Sequence, residues 1–415
     1  MAAEFRERGE HIKVLHFANT VARGGVEEHI LTLLRGLHRR SFQLMLVCMP
    51  VLAEKLRPDI PADVEVVEIQ LDGIRDWRGA GQLWRLLRRW RPDVLHSHLF
   101  QASRCASPLA RLCRVPVIVE TTHVRELWRK GWLKGSFVVD RAVGRGIDYF
   151  IAVSAAQRQY LVEEKGLPPK KIVIIHNGAD IGRFDPRLNP PQGLRASLGI
   201  AEGDPVVLVL ARLEPQKGHE VLLAALPQVR REFPTVRVIC AGDGSLRETL
   251  QQRTRDLGLE ETVRFVGYQS NPAEWLALAD FAVLPSHFEG LPITSIESLA
   301  MEKPMVATAV DGTAEVVING KTGLTVPPGD PARLAEAMCQ MLRDPGLRQK
   351  LGRAGRSWVE QHFGQEEQVR KTGALYLQAL GRWKFSNREL PDVRAHEACD
   401  CSAAEPSEET WTTRT

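Results

Sequence analysis

Short apolar, strand-like runs recur along the whole chain, with helix-period patterns between most of them. The first half holds HIKVLHFANT, FQLMLVCM, VEVVEI, DVLHSH, VPVIVETTH, DYFIAVS and KIVIIHNGAD. The second holds PVVLVLARLEPQKG, VRVICAGDGS, VRFVGY, FAVLPS, PMVAT and GLTVPP. After the first run, Val26, Ile30, Leu33, Leu34 and Leu37 fall on one helical stripe. Strands alternating with helices predict an α/β chain built on mostly parallel sheets wound on both faces. At 415 residues, 44% of them hydrophobic, the chain is long enough for two domains, each with its own core. The boundary is expected over 184–203, where DPRLNPPQG is rich in proline and polar residues. That gives a first domain over 1–183 and a second over 204–352. A long helical pattern follows over 353–385, then a polar tail over 386–415 that is expected to be disordered.

Several classes are disfavoured. No apolar run approaches the roughly 18–20 residues of a membrane-spanning helix. The charged start MAAEFRERGEHIK has no apolar h-region, so no secretory signal is expected. Seven scattered cysteines suit a reducing cytosol rather than a disulfide framework, and Cys399 and Cys401 lack the partners of a zinc site. Net charge is only +4, but 15 Lys/Arg against 5 Asp/Glu fall between Arg75 and Arg145, interleaved with Trp77, Trp84, Trp90, Trp128 and Trp132. Such a stretch suits either an anionic membrane surface or a solvated face anchored by tryptophan. No recognition motif accompanies the charge, which disfavours nucleic acid.

In doubly wound sheets ligands sit beyond the carboxyl ends of the strands, and the notable residues cluster there. Gly24 and Gly25 follow the first strand and allow close backbone approach to a phosphate or sugar, or simply a tight turn. Arg212 and Lys217, five residues apart before Gly218, suit a diphosphate and the charge of a departing one. Pro292 is expected in the first turn of a helix with Glu297 in its second. Glu289 stands eight residues before Glu297, about 80° away by helical periodicity, so the two acids touch different parts of one ligand. His123, just past VPVIVETT, can bond a sugar hydroxyl or be structural. Asn177 and Gly178 read as a turn or a hinge bordering the cleft, and Gly242-Asp243-Gly244 as a tight turn or a ligand loop. His96 and His98 are taken to face opposite sides of their strand, which argues against joint metal binding and for a structural role.

Together these residues resemble a known family. FEGLPITSIESLA, with Glu289 and Glu297, resembles the E-x7-E motif of retaining glycosyltransferases of the GT-B fold, group 1 (family four). ARLEPQKG, with Arg212 and Lys217-Gly218, resembles the family's R-x4-K-G motif. Gly24-Gly25, His123, Ser154 and HNGAD at 176–180 match its N-terminal landmarks in order and spacing, over roughly residues 12–385. The resemblance implies two Rossmann-like domains facing across a cleft, with the last helix returning to the first domain. It implies a nucleotide sugar held mainly by the second domain; the donor is expected to be UDP-linked rather than GDP-linked, though no residue here encodes the base. Arg212 and Lys217 are then expected on the diphosphate and Glu297 on the ribose. Glu289, with Gly290 and Leu291, is expected on the donor sugar. Gly24 and Gly25 would lie near the phosphates and acceptor, and His123 at the reacting face. Ser154, Asn177, Gly242 and Gly244 are further site candidates. The implied reaction is retaining transfer; the acceptor hydroxyl is expected on a lipid-linked or polysaccharide precursor, with a small-molecule acceptor as the alternative. No cofactor and no metal are expected: there is no Asp-x-Asp motif, and the cations supply the charge. The enzyme is expected in the cytoplasm, or peripheral at the inner face of the plasma membrane. Rival readings are a nucleotide-sugar epimerase or hydrolase of the same fold, and a non-catalytic nucleotide-sugar sensor.

Overall fold

The computed structural model describes residues 11–21, 23–71, 73, 76–126 and 137–381. Arg75, Trp128, Trp132 and the polar tail lie outside them. Within them the apolar runs form two all-parallel sheets. The first comprises β1 (Ile12–Ala18), β2 (Phe42–Cys48), β3 (Glu65–Glu68), β4 (Val94–His98), β5 (Val117–Thr122), β6 (Tyr149–Ala152) and β7 (Ile172–Ile174). The second comprises β8 (Val206–Leu210), β9 (Arg237–Ala241), β10 (Val263–Gly267), β11 (Phe281–Leu284), β12 (Met305–Thr308) and β13 (Gly323–Val326).

The strand orders are β3-β2-β1-β4-β5-β6-β7 and β10-β9-β8-β11-β12-β13. Each sheet therefore winds outward in both directions from its own first strand. The reversal points lie between β1 and β4 and between β8 and β11, where a doubly wound sheet opens a crevice for ligand.

The helices that matter for the site are α1 (Gly25–Gly36), α2 (Trp77–Trp90), α3 (Ala155–Glu163), α4 (His219–Glu232), α5 (Ile293–Ala300), α6 (Pro345–His362) and α7 (Gln365–Ala379). They cover both sheet faces, which is why strands such as β8 and β11 read as unbroken apolar runs rather than alternating ones. In β2, Leu44 and Leu46 pack with Ile30 and Leu34 of α1, whereas Met45 and Val47 pack with Leu83 and Leu87 of α2.

The helical pattern from Arg353 onward is divided. α6 begins earlier, at Pro345, and the chain breaks at Phe363-Gly364 before α7. There it lies against the outgoing crossing: the Ala179 amide donates to the Phe363 carbonyl at 3.0 Å, and the Gln365 amide donates to the Ala179 carbonyl at 3.0 Å. α7 then returns to the first sheet, where Leu375 and Tyr376 join the core beside Phe42. Gly36 of α1 is the contact point, since a Cβ there would come within 2.5 Å of Val369.

Candidate active site

Two loops of the second domain bring the motif side chains together. The loop after β8 carries Arg212 and Lys217, and the loop after β11 carries Glu289. They touch at Gly218, whose φ is +65° and where a Cβ would lie 2.0 Å from the Pro285 carbonyl oxygen, so only glycine closes this contact. Lys217 Nζ therefore lies 2.5 Å from Glu289 Oε1, and Ser286 Oγ donates to the same oxygen at 2.7 Å. Glu289 is buried, and a buried carboxylate persists only when paired in this way. Its amide donates to Asp311 Oδ2 at 3.0 Å.

Pro292 is the N-cap of α5 rather than a residue of its first turn, and Glu289 lies in the loop before it. The 80° separation expected for a shared helix does not apply. Glu297 is in the second turn, half-buried, and its carboxyl is pushed up to about 7. Burial is the main cause and the like charge of Glu28 on α1 the next, while Arg183 opposes both.

The first domain faces these loops. Gly24 is the N-cap of α1, and a Cβ there would lie 3.6 Å from Arg212 Nε and 3.7 Å from Glu27 Oε2. Arg212 thus reaches the glycine turn and the buried Glu27. Thr20 Oγ1 donates to Glu27 Oε1 at 2.5 Å, while burial raises the Glu27 carboxyl. A Cβ on Gly25 would meet only Ile293 at the start of α5.

His123 follows β5, and its carbonyl oxygen would lie 1.5 Å from any Cβ on Gly290. The two backbones abut across the domain boundary. The His123 ring is buried and stands edge-to-face with His29 of α1, centroids 4.7 Å apart. Asn177 ties three segments: Oδ1 lies 2.9 Å from His29 Nδ1, and Nδ2 donates to the Leu291 carbonyl at 3.0 Å. Leu291 presents only backbone here, its side chain being buried in the second domain's core. Ser154 caps α3 by accepting from the Gln157 amide at 3.0 Å and abuts Gly312. Gly242 and Gly244 admit the Ala211 and Leu213 carbonyls, fixing the loop that carries Arg212.

His96 and His98 do not face opposite sides. Side chains two residues apart on a strand share a face, and these rings are buried with centroids 4.3 Å apart. His96 Nδ1 is 2.6 Å from the Tyr376 hydroxyl of α7.

Sequence reasoning missed His29, Asp311 and Glu315. Glu315 accepts from the Ala155 and Ala156 amides at 3.2 Å each, at the start of α3, and from His176 at 3.0 Å. The signal for Asp311 was present: an Asp-Gly pair just past the β12 run PMVAT, at a strand end like the other site residues.

Two family descriptions match. Glycosyl transferases group 1 covers residues 192–358 and Glycosyltransferase Family 4 covers residues 23–183. The chain is 35% identical over 315 residues to a glycogen synthase of Mycobacterium tuberculosis, covering 74% of this chain and 73% of that one. It is 34% identical to a GDP-mannose-dependent alpha-(1-6)-phosphatidylinositol monomannoside mannosyltransferase of Mycolicibacterium smegmatis, covering 66% and 72%. Among solved structures, a glycosyltransferase from Rickettsia africae superposes with a TM-score of 0.78 at 22% identity, over 90% of this chain and 100% of that one. Anabaena Alr3699/HepE in complex with UDP-glucose superposes with a TM-score of 0.76 at 20% identity, over 90% and 100%.

Proposed function

The chain belongs to the glycosyl transferases group 1 family, and from that premise we propose that it transfers a sugar from a UDP-linked donor to a hydroxyl of a lipid-linked or polysaccharide precursor, retaining the anomeric configuration and needing no metal ion. The observation that carries this reading is the Lys217–Glu289 pair, 2.5 Å apart at the β8/β11 reversal point, with Arg212 on the same loop as Lys217 and Glu297 on α5, the helix that follows Glu289. When donor binds, Lys217 turns to the diphosphate with Arg212, and Glu289 takes the hydroxyls of the sugar. Glu297 accepts from the ribose hydroxyls. The anomeric carbon–oxygen bond breaks toward the two cations, which hold the charge of the leaving diphosphate. The acceptor hydroxyl attacks on the same face, and the departing phosphate oxygen takes its proton. His123 contacts the donor sugar at that face. Arg212 and Lys217 supply the positive charge, so no divalent ion is required.

Acceptor and location extend the same reading. The two relatives span both acceptor classes, one named for a polysaccharide and one for a phosphatidylinositol mannoside. No described helix is long and apolar enough to cross a membrane. α2 instead buries Leu83 and Leu87 and turns Trp77, Trp84, Arg85, Arg88 and Arg89 outward, a face suited to the inner surface of the plasma membrane.

A thermal-shift screen with UDP, GDP, ADP and their sugar conjugates tests the donor site. Stabilisation by the UDP series in wild type, abolished in Lys217→Ala, is expected. A response to GDP alone reassigns the base, in keeping with the GDP-mannose-dependent relative. No response to any nucleotide sinks the reading.

A further inference from the structure

Five imidazoles meet beneath the cleft: His16 on β1, His96 and His98 on β4, His29 on α1, and His123 after β5. All are buried, with neighbouring centroids between 4.3 and 5.8 Å. Their hydrogen bonds account for some of the ring nitrogens but not all. His96 uses both, each at 2.6 Å, one with Tyr376 and one with Thr121. His16 Nδ1 and His98 Nε2 face each other at 3.2 Å. His29 Nδ1 is held by Asn177 and Gln368, each at 2.9 Å. Left over, buried and without a hydrogen-bond partner, are His29 Nε2, His98 Nδ1 and His123 Nε2. His16 Nε2 is also unpartnered, but the trio that includes His16 depends on His96, whose nitrogens are both engaged. Native interiors leave few buried polar atoms unpaired. Three on adjacent rings point to a missing partner.

We propose that His29, His98 and His123 form a site for a divalent transition metal of the imidazole-binding class, with Zn2+ as probe, and that its occupation inhibits transfer by engaging the His123 ring. One ligand atom from each residue lies within 4.8 Å of the other two. A tetrahedral zinc with bonds of about 2.0–2.1 Å needs its nitrogens about 3.4 Å apart, so ring rotation must close the widest gap. His29 Nδ1 faces Asn177 Oδ1, which calls for a proton on it, and the Gln368 amide nitrogen, which calls for a lone pair. The tautomer that serves Asn177 leaves the lone pair on Nε2 and is the one the site requires. Three nitrogens leave a fourth position for water, and no protein carboxylate is needed.

Only the inhibition rests on the transferase reading; metal uptake does not. Zn2+ is titrated into the full-length chain carrying Cys399→Ser and Cys401→Ser, so that the tail thiols do not compete. X-ray absorption then counts the ligands. One ion per chain with three imidazoles and no sulfur is expected. His29→Gln and His98→Gln should each weaken uptake about tenfold or more, with metal-free melts showing that the variants fold. Saturating Zn2+ should lower transfer about tenfold or more, reversibly with a chelator. No stoichiometric uptake, sulfur ligation, or unchanged affinity in the folded variants overturns the site. If a variant fails to fold, the ligand count on the Cys→Ser protein decides. Metal uptake without nucleotide binding would leave the site standing and remove the transferase reading; nucleotide binding without uptake would do the reverse.

Discussion

Glu297 sets the pH response expected of the donor site. The proposed ribose contact needs the carboxylate, yet burial and Glu28 raise this group to about 7. The KM for donor should therefore rise about tenfold per pH unit below 7. In Glu297→Gln the profile should flatten and the KM should stay high at every pH. Steady-state kinetics from pH 5.5 to 8.5 checks this, and a flat wild-type profile would refute it. The stability of the empty protein runs the other way. With the pKa raised from 4.5, the increment to folding is complete below about 4.5 and is lost as pH rises through 7. Gly290 gives a steric counterpart. In Gly290→Ala the new Cβ meets the His123 carbonyl at 1.5 Å, so the domains must part. A destabilisation of about 1–3 kcal/mol is expected, read by urea unfolding, with transfer nearly abolished. Residues of this kind were nameable from sequence where spacing and strand ends marked them, as for Lys217, Glu289 and Glu297. Asp311 was marked by its Asp-Gly pair at a strand end but its partners, the Glu289 amide and Arg125, were not; Glu315 escaped because its role, capping α3, depends on the other domain. His29 lies on the buried stripe side of α1, where nothing in the sequence separates a core histidine from a site neighbour.

At the scale of elements, most strands were legible because both sheet faces are covered and strands such as β8 and β11 are apolar runs, while the edge strand β3, EVVE, is polar at both ends. Helix ends were less so. The pattern from Arg353 hid the break at Phe363-Gly364, because helical periodicity resumes on the far side. That break lets α7 turn back and place Tyr376 on His96. Tyr376→Phe keeps the ring in the core but leaves His96 Nδ1 unpaired. A loss of about 1–3 kcal/mol is expected, visible as a lower urea midpoint with an unchanged slope. An unchanged midpoint would show that water or another group takes over the bond. The two-residue register of β4 was misjudged, and with it the chance to see that its histidines share one pocket.

At the scale of the molecule, the two sheets present their reversal points to one cleft, as the alternation of elements and the paired motifs led one to expect. The relative placement of the sheets was not legible, since it depends on contacts such as Asn177 with Leu291 and Gly290 with His123, between segments far apart in sequence. The outer face of α2 adds a test at this scale. Trp77 is 74% exposed, and Arg78 and Arg88 stack on Trp77 and Trp84. The protein should float with phosphatidylglycerol vesicles at low ionic strength and be released at about 0.5 M salt, where screening shortens to a few ångströms. Trp77→Ala with Arg88→Ala should weaken flotation; no flotation of wild type would remove the membrane face.

The return of α7 bears also on the order in which the protein can be completed during synthesis. All seven strands of the first sheet have been synthesised by Ile174, yet the helix that covers Gly36 and Phe42 ends at Ala379. For the roughly two hundred residues between, the half made first keeps an apolar strip uncovered. The half made last reaches its finished state only together with it, so the domain begun first cannot be the domain finished first.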